Sequence, residues 1–145
     1  MIRFLRQEDY AIVVAGALAK AYKKRLVPLS EVAEEYDVSS LFLRNLAGQL
    51  RNAGVIKAVE GKNGGYYLAK DPRRIKMGQI LGIFSRNRGL TCCSAHEKGS
   101  RKRRCPKKKD CLAGNTWRQL NKEFVDKVYG LSLQAFLEYK PKRIA

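Results

Sequence analysis

The chain has 145 residues, room for one ordinary domain with appendages. Thirty lysines and arginines against 13 acids give a formal charge of +17, which points to a polyanion partner, nucleic acid before an anionic membrane surface. No apolar run approaches the roughly 20 residues that span a bilayer, and Met1 to Arg6 is too charged for a secretory signal, so neither membrane insertion nor secretion is expected and a cytoplasmic setting is.

Residues 8–24 read as a helix, with acids at the front, lysines at the back and Ala and Val between. Pro28 breaks it. Ser30 is the expected cap of a short second helix over residues 30–36, with Val32, Ala33 and Tyr36 available for burial. Asp37-Val38 makes a tight turn. Ser39 is expected to cap a third helix, from residue 40 to about residue 53, whose apolar stripe is Leu43, Leu46 and Leu50 and whose end is marked by Gly54. The β-branched run 55–59, the turn Gly61 to Gly65 and the run 66–68 form a hairpin signal. Tyr66 and Tyr67 alternate across its second strand, so one is expected inside and one outside. Residues 75–84 predict another short helix carrying Ile80, Leu81 and Phe84.

The character then changes. Residues 86–110 hold ten Lys/Arg and two acids, about half of the net charge, without apolar periodicity, and predict a loop. Cys111 is expected to open a long helix in which Ala113, Trp117, Leu120, Phe124 and Val128 recur at four- and three-residue steps, the stripe that a coiled-coil-like seam needs. Trp117 reads as packing in a dimer seam. Gly130 interrupts, Ser132 recaps, and residues 133–139 form a last short helix before the basic tail Lys140 to Arg143.

Helix, turn, helix and hairpin is the order of a winged helix-turn-helix, a mainly α fold with a small β-hairpin. The expected organisation is a DNA-binding domain over 1–85, a cysteine-rich basic loop over 86–110, and a long dimerisation helix with a C-terminal helix over 111–145. In such a fold the second helix of the motif enters the major groove and the hairpin tip reaches flanking phosphates or the minor groove. Candidate DNA contacts are Ser39 and Ser40 at the start of that helix, Arg44, Asn45, Gln49 and Arg51 along its exposed side, and Lys62, Asn63 and Gly64 at the wing tip. Arg can bridge guanine O6 and N7, and Asn or Gln adenine N6 and N7.

Four cysteines, Cys92, Cys93, Cys105 and Cys111, lie within twenty residues and none lies elsewhere. Clustered thiolates are soft ligands that suit an iron–sulfur cluster or zinc, and the surrounding cations would lower thiol pKa values. Zinc could use all four or exchange one for His96, the sole histidine; a free-thiol redox pair is a further option. Spacing alone leaves these alternatives open. With one histidine and no nucleophile–base pair, no enzymatic chemistry is expected. A basic RNA- or ribosome-associated protein with a structural zinc site is the alternative of a different class, and the wing and the dimer seam argue against it.

The chain resembles the Rrf-two family of bacterial winged-helix regulators. The resemblance runs from Tyr10-Ala11 through Leu43, Leu46, residues 50–56 (LRNAGVI), residues 61–72 (GKNGGYYLAKDP) and Ile75 to residues 111–120 (CLAGNTWRQL), roughly nine tenths of the chain. It implies a homodimer held by the long helix, recognition of a palindromic double-stranded DNA operator, and a 2Fe–2S or 4Fe–4S cluster on three cysteines. Cys105 and Cys111 match the second and third family cysteines, and Cys93 or Cys92 the first. Eleven residues separate Cys93 from Cys105, where the family usually has about five. The histidine that some members carry three residues after the last cysteine is Gly114 here. The carboxylate that another branch supplies from the partner subunit aligns with Asp9, neighbour to Glu8. Arg44 stands where some relatives carry an acid, and Glu60 where the wing usually opens with arginine, so a different operator is implied.

Overall fold

A computed structural model describes residues 6–85 and 111–140. It contains six helices and one hairpin among them: α1 (Arg6–Lys20), α2 (Leu29–Glu35), α3 (Ser40–Asn52), β1 (Ile56–Val59), β2 (Gly65–Leu68), α4 (Met77–Phe84), α5 (Gly114–Gly130) and α6 (Leu133–Leu137). The mainly α winged helix-turn-helix expected from the sequence is therefore present, with α2 and α3 as the motif and the hairpin as the wing.

The core follows the apolar periodicity. Leu43, Leu46, Ala47 and Leu50 of α3 are buried against Ala11, Val14, Ala15 and Leu18 of α1, and α4 adds Met77, Ile80, Leu81 and Phe84. A fully buried Leu or Ile contributes about 1.5–3 kcal/mol, so this shared cluster fixes α3 against the body. An edge-on contact between Tyr10 and Phe42, ring centres 5.6 Å apart, joins the two helices near their starts, with the Arg6 guanidinium over both rings. Gly54, at φ +75°, ends the α3 segment in the left-handed conformation that glycine tolerates best.

The wing is antiparallel, with Ile56 opposite Leu68, Lys57 opposite Tyr67, Ala58 opposite Tyr66 and Val59 opposite Gly65. Its register puts Ile56 and Leu68 inside and Lys57 and Tyr67 outside, and Tyr66 is half-buried. Val27 and Tyr66 exchange backbone hydrogen bonds of 3.0 and 2.8 Å, attaching the α1–α2 connection to the sheet. Gly64 closes the turn so tightly that a Cβ there would lie 2.1 Å from the Val59 carbonyl oxygen.

Several boundaries and caps differ from the sequence reading, α4 and α6 being shorter than the expected 75–84 and 133–139. α1 stops at Lys20 because residues 21–24 leave the helix as turns, with Lys23 at φ +59°. α2 begins at Leu29 with Pro28 in the cap position, so Ser30 is inside the helix rather than its cap, and Tyr36 is exposed. Ser39 does occupy the cap position of α3, but its side chain makes no capping hydrogen bond. α5 begins at Gly114, three residues after Cys111. Ser132, by contrast, caps α6 as expected, its hydroxyl accepting from the Ala135 N–H at 3.1 Å.

The C-terminal elements return to the winged-helix body. The Met77 N–H donates to the Leu131 carbonyl at 2.8 Å, the Leu133 N–H to the Ile75 carbonyl at 2.7 Å, and the Lys76 ammonium to the Gly130 carbonyl at 3.1 Å. Leu133 is wholly buried in the common core.

Candidate nucleic-acid interface

α3 presents two unlike faces. Leu43, Leu46 and Leu50 are sealed in the core, while Ser39, Ser40, Arg44, Asn45, Gln49 and Arg51 are all exposed. Each expected reading residue is therefore held by a backbone that its apolar neighbours immobilise, with its polar end in solvent. At the wing, Lys62 and Asn63 are exposed and Gly64 is half-buried in the turn. Lys57 and Tyr67, cross-strand partners, add a cation and a ring to the outer face of the hairpin. Chemically this is a donor-rich helix flanked by a cationic tip, suited to base edges and phosphates respectively.

α5 has one face toward its own chain and one face uncovered. Gly114 and Asn121 are buried and Val125, Val128 and Tyr129 half-buried, whereas Trp117, Leu120 and Phe124 retain 44%, 46% and 36% of their exposure. Three large apolar side chains on consecutive turns make a stripe that calls for a cover. Of the five residues in the expected seam, Val128 alone packs against the core, and Ala113 precedes the helix.

Of the expected metal ligands, Cys92, Cys93 and Cys105, together with His96, lie outside the described residues. Cys111 is half-buried, without a disulfide, at the entrance to α5. The Gly114 N–H donates to the Cys111 carbonyl at 3.1 Å, and a Cβ at Gly114 would sit 3.6 Å from the Cys111 Sγ. A side chain at position 114 would thus begin in van der Waals contact with the thiol. Among the described residues no group of three or more potential metal ligands converges.

Asp9 is exposed in the first turn of α1, but Glu8 is not: it is 5% exposed. The Ser85 hydroxyl donates to the Glu8 Oε1, and the Tyr129 hydroxyl donates to the Ser85 Oγ at 3.2 Å. This relay joins the start of α1, the end of α4 and the last turn of α5. Sequence reasoning placed Glu8 only as a neighbour of Asp9. The signal was its spacing, since Glu8, Ala11, Ala15 and Leu18 share one buried helix face.

A wing beside a solvent-facing, donor-rich helix defines a winged helix-turn-helix transcriptional regulator. Residues 4–139 match the Rrf2 family, described as iron-dependent transcriptional regulators. The chain belongs to that family. It is 30% identical to NMA1593 of Neisseria meningitidis serogroup A over 139 residues, covering 96% of this chain and 90% of that one; the relative's name assigns it the class of HTH-type transcriptional regulator. It is 25% identical to the HTH-type transcriptional regulator IscR of Pectobacterium atrosepticum, over 96% of this chain and 81% of the relative. In fold it is similar to CymR, the global cysteine regulator of B. subtilis, with a TM-score of 0.75 at 22% identity over 97% of this chain and 100% of that one. Among the described residues no helix is long and apolar enough to cross a membrane.

Proposed function

We propose that the chain works as a homodimer that reads a palindromic double-stranded DNA operator and is controlled through an iron–sulfur cluster on its cysteines. The observation that carries the DNA reading is the split of α3 into a sealed apolar face and an exposed face bearing Arg44, Asn45, Gln49 and Arg51. Arg44 and Asn45 supply the fork and amide geometries that distinguish guanine and adenine in the major groove. Lys62 at the wing tip and the Ser39 and Ser40 hydroxyls at the start of α3 meet phosphates, contributing affinity without sequence choice. Trp117, Leu120 and Phe124 supply the subunit contact, placing two α3 helices on one face of the duplex.

For the cluster, the residues that would hold it are Cys105, Cys111 and either Cys93 or Cys92, with Asp9 of one subunit reaching the other's cysteines. The half-buried Cys111 thiol offers a soft ligand, and the glycine at position 114 offers none beside it. When bound, the cluster supplies a centre sensitive to oxidants, nitric oxide or iron supply. The Cys111 thiolate holds the entrance of α5, and the Asp9 carboxylate holds the first turn of α1, so the pair connects the dimer helix to the head that carries α3. A coupling of 1–3 kcal/mol, usual for allosteric proteins, changes operator affinity by about 5- to 150-fold.

Selection from a random pool of double-stranded DNA tests the first half, with an inverted repeat expected. Visible absorption together with iron, sulfide and zinc analysis of protein isolated without oxygen tests the second. Stoichiometric zinc without sulfide overturns the cluster and leaves a zinc regulator of the same fold.

A further inference from the structure

The exposed face of α3 is not uniformly polar. Leu41 retains 68% of its exposure in the first turn of the helix, opposite the buried Leu43, Leu46 and Leu50. Leu41, Asn45, Gly48 and Asn52 follow a four-three-four spacing and share one helical face. Gly48 is the second anomaly. It lies inside α3 with no positive φ, and a Cβ built on it would meet nothing within 4 Å. Neither its conformation nor packing within the chain requires a glycine, and glycine weakens a helix relative to alanine. A glycine with open space before it is what a helix needs when something outside the chain comes close to its backbone.

We propose that Leu41 is a specificity-determining residue that packs on the 5-methyl group of a thymine, and that Gly48 lets the duplex approach α3 closely enough for that contact. The inference rests on α3 being the major-groove helix. The thymine methyl is the one apolar group a base pair shows in that groove, and apolar side chains are its usual partners. Leu41 occupies the N-terminal turn, the part of a recognition helix that meets base edges. Arg44 and Asn45, one turn further on, face the adjoining donors and acceptors. With the exposed Arg44 and Asn45 on the following turn, Leu41 is a single apolar side chain on this face, matched to a single methyl rather than to a broad apolar partner surface.

The experiment uses the full-length dimer and sequences it selects from random duplex DNA. Each selected thymine is replaced by deoxyuridine, which removes the methyl alone. At one thymine per half-site the replacement is expected to weaken wild-type binding about fourfold, the value of one buried methyl. Leu41→Ala should lose that sensitivity, binding thymine and deoxyuridine operators within twofold of each other, while affinity for unrelated duplex and the salt slope stay as in wild type. Gly48→Ala should raise the melting temperature yet weaken the selected operator more than unrelated duplex. Equal deoxyuridine penalties in wild type and Leu41→Ala overturn the assignment of Leu41. Unchanged operator affinity in Gly48→Ala overturns the close approach. A pool with no enriched sequence defeats the operator reading itself, an outcome distinct from both.

Discussion

Removal of the Ser85 hydroxyl should destabilise the protein well beyond what a residue at a helix end normally does. Ser85 donates to the buried Glu8 carboxylate and accepts from Tyr129, whose hydroxyl is 3.2 Å away. A hydrogen bond to a charged group contributes about 1.5–3 kcal/mol net, and a neutral one about 0.5–1.5. Ser85 and Tyr129 are half-buried, which favours the lower part of each range. Ser85→Ala should therefore cost about 2–3 kcal/mol and Tyr129→Phe about 1 kcal/mol. Tyr129 loses Ser85 as an acceptor in the first variant, so the double variant should cost about 0.5–1 kcal/mol less than the sum. Urea unfolding of the four proteins gives the cycle, and Ser85→Ala should melt about 4–10 °C lower. Single costs below about 0.5 kcal/mol with strict additivity would refute the relay, since contacting members of one network couple by more than that.

Arg44→Ala should relax sequence preference at a cost of about 1–3 kcal/mol on the selected operator, whereas Lys62→Ala should weaken all duplexes evenly and flatten the salt slope by about one unit. Leu120→Glu should convert the dimer to monomer in sedimentation at micromolar concentration, because a two-fold interface loses about 1.5–3 kcal/mol of burial from each copy. Cys105→Ala and Cys111→Ala should each abolish visible absorption, with Cys93→Ala more damaging than Cys92→Ala. The Arg25 guanidinium donates to both Glu31 carboxylate oxygens, at 2.8 and 2.5 Å, and this hydrogen bonding holds the Glu31 carboxyl below its ordinary value. Its contribution to stability is complete above the usual glutamate value of about 4.3 and is lost as pH falls through the lowered one. The melting difference between wild type and Glu31→Gln should thus be present at neutral pH and vanish in acid.

Where an apolar residue had to choose a side, the sequence was explicit. Leu43, Leu46 and Leu50 at helical spacing named the inner face of α3, and by exclusion the outer one. Gly54 and the Asn-Gly-Gly turn fixed where the helix ended and the hairpin folded back. The Ser30 cap failed because Pro28 already supplies the extended conformation that a cap position needs, at φ −71°. The start of α5 was misplaced because cysteine and leucine at 111 and 112 carry no local signal against a helix. Glu8 escaped notice for a different reason. Its partner Ser85 is 77 residues away, and Ser85 is in turn 44 residues from Tyr129; no local pattern announces a long-range hydrogen bond. Leu41 was passed over because the outer face of α3 was searched for hydrogen-bonding side chains, and a leucine carries no such signal until its 68% exposure is seen.

The docking of the end of α5 onto the start of α4 has a mechanical consequence. Its 17 residues form a rod about 25 Å long, anchored to the winged-helix body at Leu131 and Leu133 and carrying Cys111 just beyond its far end. Such a rod is a lever with its fulcrum at the body: a tilt of about 5° swings the far end through about 2 Å at the helical rise of 1.5 Å per residue. Conversely, a displacement of that size at the cysteine end, no larger than one bond length added or removed, turns the whole head by several degrees.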